Sequence, residues 1–96
     1  MAKISVILNS YNQDEFFEDA ITSVLTQSYQ DFELIISENG STDNSKQILK
    51  KYMYHKKIKI LNYLENENVS KRFNQALKEC EGEFISFLYS DDIISK

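Results

Sequence analysis

Four short apolar runs, Ile4–Leu8, Phe32–Ile36, Ile58–Leu61 and Phe84–Leu88, alternate with three stretches of helical periodicity, and this alternation restricts the fold most. Ile4–Leu8 and Phe32–Ile36 are almost continuously apolar, as strands covered on both faces must be. The first helical stripe carries Phe17, Ala20, Ile21, Val24 and Leu25, and it opens with Asn12 and Glu15 at capping-box spacing. The second carries Ile48, Leu49, Tyr52 and Met53, with Ser41, Thr42 and Asp43 ahead of it as caps. The third places Phe73, Ala76, Leu77 and Cys80 on one face. The order predicts an α/β fold: a three-layer, mostly parallel sheet with right-handed crossovers and helices on both faces. Ligands of such sheets bind outside the carboxyl ends of the strands, where the strand order reverses.

The chain has no proline, only Gly40 and Gly82 as glycines, and no repeat, so residues 1–96 read as a single domain without a linker. Fifteen acidic against eleven basic residues give a net charge of −4, which argues against a nucleic-acid partner. No apolar run reaches the ~18 residues of a membrane span. The opening Met-Ala-Lys-Ile-Ser leads into the first apolar run with no cleavage-site pattern. A cytoplasmic protein is expected, and a peripheral position at the inner face of a membrane is compatible with it. The single cysteine, Cys80, excludes an internal disulfide and a multi-cysteine zinc site. Its place on the apolar stripe reads as a small buried hydrophobe. His55, within the basic stretch from Lys50 to Lys59, reads as exposed.

Each expected strand is followed by polar residues: Asn9-Ser10-Tyr11-Asn12, Ser37-Glu38-Asn39-Gly40-Ser41, Leu64-Glu65-Asn66-Glu67-Asn68 and Tyr89-Ser90-Asp91-Asp92. Structural turns would draw on glycine and proline, which are nearly absent here. Adjacent carboxylates such as Asp91 and Asp92 repel unless a cation or hydrogen-bond donors offset the charge. A hard divalent ion would bind such a pair and complete its shell with phosphate oxygens. A solvated turn with two caps is the plainer reading of the pair alone. Tyr11 reads as core or rim packing, or as a platform for a base. Glu38 and Asn39 either shape the turn or accept hydrogen bonds from a ligand. Lys71 and Arg72 read first as a solvated helical face and second as phosphate contacts.

As an ordered set, these segments resemble the start of a family-2 glycosyltransferase of the GT-A fold, whose N-terminal half is Rossmann-like. The residues from Ile4 to Asn12 resemble the family's opening strand and turn. Those from Ile21 to Glu33 resemble its first helix and second strand, and Ser37 to Ser45 resembles the turn that follows. Glu81-Gly82-Glu83-Phe84-Ile85-Ser86-Phe87-Leu88, with Ser90-Asp91-Asp92 after it, resembles the approach to the family's metal-binding Asp-x-Asp motif.

The resemblance implies inverting sugar transfer from a nucleotide-diphospho-sugar, typically a UDP-sugar, with Mn²⁺ or Mg²⁺ on the diphosphate. The acceptor would be a hydroxyl of a glycan or lipid-linked molecule. Carried over by position, Tyr11 lies against the base and Asn9 lines the same pocket. Glu38 and Asn39 stand at the family's acidic pair, and Asn66 borders the base. Asp91 contacts ribose or metal, and Asp92 the metal.

Three departures stand out. Asn39 replaces an aspartate, although its oxygen still accepts from an imide N–H. Tyr89 stands where the metal motif often begins. Phe73 replaces an arginine of the third helix, which leaves Lys71 or Arg72 to supply that charge. No catalytic base is identified among residues 1–96; it is expected further along a longer chain, of which these residues would be the donor-binding half. Two rival readings are a nucleotidyltransferase, which needs a Gly- and Arg-rich loop after the first strand, and a non-catalytic Rossmann-like or receiver-like signalling module, which needs acidic residues there. Asn9-Ser10-Tyr11-Asn12 supplies neither.

Overall fold

The computed structural model describes residues 3–12 and 14–89, with Tyr89 described by its backbone alone. The elements follow the predicted order: β1 (Ile4–Ser10), α1 (Asp14–Leu25), β2 (Phe32–Asn39), α2 (Ser45–Leu49), β3 (Ile58–Tyr63), α3 (Val69–Leu77) and β4 (Phe84–Tyr89). The strands form one sheet in the order β3-β2-β1-β4, and every pairing is parallel. The chain steps from β1 to β2 to β3 in one direction, then crosses back over the sheet to β4. Crossovers of constant hand must then place α3 on the face opposite α1 and α2.

The core divides accordingly. Val6, Leu8, Leu34 and Ile36 project to one face, where they bury Phe17, Ala20, Ile21 and Val24 of α1 together with Leu49. Ile7 and Ile35 project to the other face and pack with Ala76, against which Phe73, Leu77 and Cys80 are half-buried. The expected three layers are therefore present. Phe73 and Phe87 meet edge to face, with ring centroids 4.7 Å apart. Burial pushes the Cys80 thiol up from its ordinary pKa, in keeping with a packing role.

Three local expectations change. The strands run longer than their apolar runs, so that Asn9, Ser10, Ser37, Glu38 and Asn39 lie within β1 and β2 rather than after them. Backbone pairing continues through polar residues because a ladder bond does not depend on side-chain polarity. The capping box is also replaced. Asn12 adopts a left-handed conformation (φ 50°), and the N–H of Asp14 donates to Asp43 Oδ2 at 3.0 Å, a cap supplied from the next loop. Finally, α2 ends at Leu49, and Met53 is exposed instead of joining the apolar stripe.

Candidate functional site

Strand order reverses at β1, whose partners β2 and β4 lie on either side, and the carboxyl ends of these strands carry the polar residues that the sequence singles out. The pleat sorts them. Ser10, Glu38 and Asn62 are register partners on the α1–α2 face. Asn9 and Ser37 are register partners on the α3 face, followed on that face by Asn39 and Tyr63. Glu38 and Asn39, adjacent in sequence, therefore serve opposite sides of the sheet.

Glu38 is fully buried and pairs with Lys46 Nζ at 2.7 Å, while the N–H of Ser41 donates to its carboxylate at 3.0 Å. Lys46 also donates to the Tyr63 carbonyl at 2.6 Å, so one ammonium links β2, α2 and β3. A buried carboxylate is stable only with such compensation.

Asn39 is 2% exposed, and its side chain is committed to the protein. Its Oδ1 accepts from the Glu67 N–H at 3.0 Å and from Arg72 Nε at 2.7 Å, while Nδ2 donates to the Glu67 carbonyl at 2.8 Å. Both acceptor sites of that oxygen are occupied, so the expectation of an oxygen open to an imide N–H is not met. Asn66 Nδ2 donates to the backbone carbonyl of Asn39 at 3.2 Å. Gly40 follows with φ +73°, and a Cβ there would stand 2.3 Å from the Glu65 carbonyl carbon. The segment after β3 thus lies directly on the end of β2.

Arg72 corrects the reading of a solvated helical face. It is 5% exposed, its guanidinium lies 3.6 Å from the centroid of the Tyr63 ring, and it donates to Asn39, Gln75 and the Glu65 carbonyl. All three acceptors are neutral, and no carboxylate pairs with it among the described residues. Lys71 stays exposed beside it and pairs with Glu67 at 3.1 Å. Tyr11 is 42% exposed, which places its ring at the surface of the strand ends rather than in the core. Sequence reading missed Lys46 and Tyr63, and gave Arg72 as a solvated face or a phosphate contact. The available signal was the position of Arg72, one residue from Phe73 on the apolar stripe.

The loops around these residues are locked together. Asn12 Oδ1 accepts from the Thr42 N–H at 2.8 Å, and the Asn12 N–H donates to Ser41 Oγ at 2.9 Å. Asp43 accepts from the N–H groups of Asp14 and Ser45 at 3.0 and 2.9 Å. Burial pushes the Asp43 carboxyl up, but these bonds outweigh it and hold the pKa below its ordinary value. Against this background, four buried side-chain atoms have no hydrogen-bond partner among the described residues: Asn9 Oδ1, Ser10 Oγ, Ser37 Oγ and Ser45 Oγ. The first three lie toward the carboxyl ends of β1 and β2, beside the reversal of strand order, and Ser45 opens α2. Orphaned buried polar atoms suit a ligand or water that supplies the missing partners.

Asp91 and Asp92 lie outside the described residues, as does Ser90. Among the described residues, no group of three or more His, Cys, Asp or Glu side chains is placed to hold a metal ion.

A family model described as "Glycosyl transferase family 2" matches residues 5–96. The chain belongs to this family. That membership sets aside the nucleotidyltransferase and receiver-like readings. The poly(ribitol-phosphate) beta-N-acetylglucosaminyltransferase TarS of Staphylococcus aureus is 35% identical over 99 residues, covering 100% of this chain and 17% of TarS. The crystal structure of TarS 1–349 in complex with UDP-GlcNAc superposes with a TM-score of 0.87 at 34% identity, over 97% of this chain and 28% of that one. A mannosyltransferase from Pyrobaculum calidifontis, solved with GDP-Man and Mn²⁺, shares the fold with a TM-score of 0.88 at 19% identity, over 98% of this chain and 29% of that one. The fold is that of GT-A glycosyltransferases. The chain spans between 13% and 38% of the length of the curated relatives it matches.

Proposed function

We propose that residues 1–96 form the donor-binding portion of a glycosyltransferase that takes a UDP-sugar with a divalent metal ion. The orphaned Asn9 Oδ1, nine-tenths buried at the strand-order reversal, supports this reading most directly. An imide N–H of uracil is the donor that this acceptor lacks. Tyr11 supplies an exposed ring for the face of the base, and Asn66, bonded to the end of β2, borders it. Asn39 serves by holding the Glu67 backbone and Arg72 in place, and Glu38 by fixing Lys46 and the turn at Ser41. Lys71, exposed on α3, is free to swing from Glu67 toward the diphosphate.

Asp91 and Asp92 would hold the ion, Mn²⁺ or Mg²⁺. When bound, it stabilises negative charge on the leaving diphosphate as a Lewis acid. Transfer is inverting, to the hydroxyl of a glycan or lipid-linked acceptor, and no base for that step is assigned within this portion. A cytoplasmic location fits a donor of this class, and no described helix is long and apolar enough to cross a membrane.

The test is titration calorimetry with UDP in the presence of Mn²⁺ and of EDTA, for the parent chain and for Asp92→Asn. Metal-dependent heat that Asp92→Asn removes is the expected result. Equal heats with Mn²⁺ and EDTA would overturn the metal role, and no heat in either would overturn the donor site.

A further inference from the structure

The opposite end of the sheet carries a surface that donor binding does not use. Residues 50–59 contain five lysines and no acid, in a chain whose net charge is −4, so the rest of the chain carries −9. They connect α2 to β3 beside the amino ends of the strands, where the Lys57 carbonyl accepts from the Leu34 N–H at 2.7 Å.

Not all of this charge is available. Lys51 pairs with Glu18 at 3.0 Å, and Lys59 pairs with Glu81 and Glu33 at 2.9 and 3.4 Å. Among the described residues, Lys57 donates only to neutral oxygens of Gln30, and it lies 4.6 Å from the centroid of Phe32. Lys50 and Lys56 are exposed and have no ion pair among the described residues. Three positive charges therefore stand without an acid.

Between them project Met53, 54% exposed, and Tyr54, 92% exposed. Neither side chain contributes to the core clusters. A thioether and a phenol ring at the tip of a lysine-flanked turn combine the two elements of an interfacial anchor. The apolar groups enter the boundary between headgroups and acyl chains, and the ammonium groups meet lipid phosphates.

We propose that this turn, centred on Met53 and Tyr54, docks the chain onto an anionic lipid bilayer. A soluble phosphate polymer would be served by the lysines alone, so the exposed apolar pair favours the bilayer. Strands of six to eight residues are roughly 20–27 Å long. Docking by this turn holds the carboxyl-end site on the far side of the sheet, open to a donor in solution.

Vesicle flotation of the full chain tests the proposal, using phosphatidylcholine vesicles with and without phosphatidylglycerol, at low and high salt. Binding is expected only with phosphatidylglycerol, and it should weaken with salt. Lys50→Gln with Lys56→Gln should lower partitioning about 30-fold, since each lysine at an anionic surface contributes roughly five-fold. Met53→Ser with Tyr54→Ser should lower vesicle binding while leaving retention on immobilised polyphosphate unchanged. All four side chains are exposed, and circular dichroism serves to check that each variant is folded. No binding to anionic vesicles would overturn the proposal, as would indifference to both double variants. Binding to polyphosphate without binding to vesicles would also overturn it and assign the patch to a phosphate polymer.

Discussion

Glu33 and Glu38 are buried carboxylates of the same strand, one at each end of β2, and each has a lysine partner. Around Glu33 the polar groups close on one another. Its carboxylate accepts from Ser5 Oγ and from the Glu81 N–H, both at 2.6 Å, and Ser5 Oγ accepts in turn from the Gly82 N–H at 2.8 Å. This network ties the approach to β4 onto β1 and β2. Around Glu38 closure is partial. Lys46 and Ser41 satisfy the carboxylate, but among the described residues its register partner Ser10 has an orphaned hydroxyl, and Asn9 and Ser37 are orphaned on the reverse face. An unmet buried polar atom costs about 1–3 kcal/mol. The amino end of the sheet closes its polar groups on one another, whereas the carboxyl end leaves buried polar atoms without partners among the described residues.

The sharpest way to strike one end alone is Gly40→Ala. The new methyl group would meet the Glu65 backbone at 2.3 Å, in a conformation (φ +73°) that alanine rarely adopts. Backbone cannot give way as a flexible side chain can, so the segment from Glu65 to Glu67 must lift off the end of β2. We expect a loss of about 4 kcal/mol in urea unfolding, at the upper end for a single substitution, with UDP binding lost as well. A change below about 1 kcal/mol would mean that this segment is not anchored where Asn39 and Gly40 hold it.

Glu33→Ala strikes the other end. It leaves the buried Ser5 Oγ and the part-buried Glu81 N–H without their acceptor, and we expect a loss of about 2 kcal/mol. UDP affinity should not move, which separates the two ends. The pH dependence follows from the same contacts. Burial alone would push the Glu33 carboxyl up, yet the Ser5 hydroxyl, the Glu81 N–H and Lys59 hold its pKa below the ordinary value. A carboxyl depressed in the folded state stabilises above its unfolded pKa, about 4.3, and that contribution is lost as pH falls through the folded value. Thermal unfolding of the parent below about pH 4.5 should therefore decline more steeply than that of Glu33→Gln. Parallel curves would assign the acid sensitivity to other groups, such as Asp43.

The layers were legible in the sequence because burial on both faces leaves continuous apolar runs and helices leave a 3.6-residue stripe. The third helix shows this best, since Phe73, Ala76, Leu77 and Cys80 all pack as their spacing predicts. The site was legible in position more than in wiring. Periodicity places Asn9, Tyr11, Glu38, Asn39 and Asn66 near the carboxyl ends, but only pairing register reveals that Glu38 and Asn39 face opposite ways. Arg72 was misread because a charged residue on a short helix reads as solvated. Nothing local announces that a tyrosine and three neutral oxygens lie within its reach. The same holds for Asn12, whose partner at Thr42 is thirty residues away. The Asp91 and Asp92 assignment lies outside the described residues and rests on sequence.

The smallest expected change in stability gives the most direct test of the contrast between the two ends. Asn9 is 6% exposed, shares its face with Ile7 and Ile35, and has no partner for Oδ1 among the described residues. Asn9→Leu keeps the branched heavy-atom skeleton, removes the orphaned acceptor and adds apolar surface to the α3 side of the core. If that oxygen is held in reserve for a base, the variant should gain about 1 kcal/mol of stability. It should also bind UDP about ten-fold more weakly, the equivalent of one lost hydrogen bond, about 1.4 kcal/mol. A buried water bonded to Oδ1 gives the opposite pattern, because removing its partner destabilises the fold and leaves the nucleotide indifferent. Urea unfolding and calorimetry on the same variant distinguish the two cases. Stability gained together with affinity lost marks Asn9 as a ligand-binding residue; stability lost with affinity unchanged makes it structural, and the carboxyl end as well satisfied as the amino end.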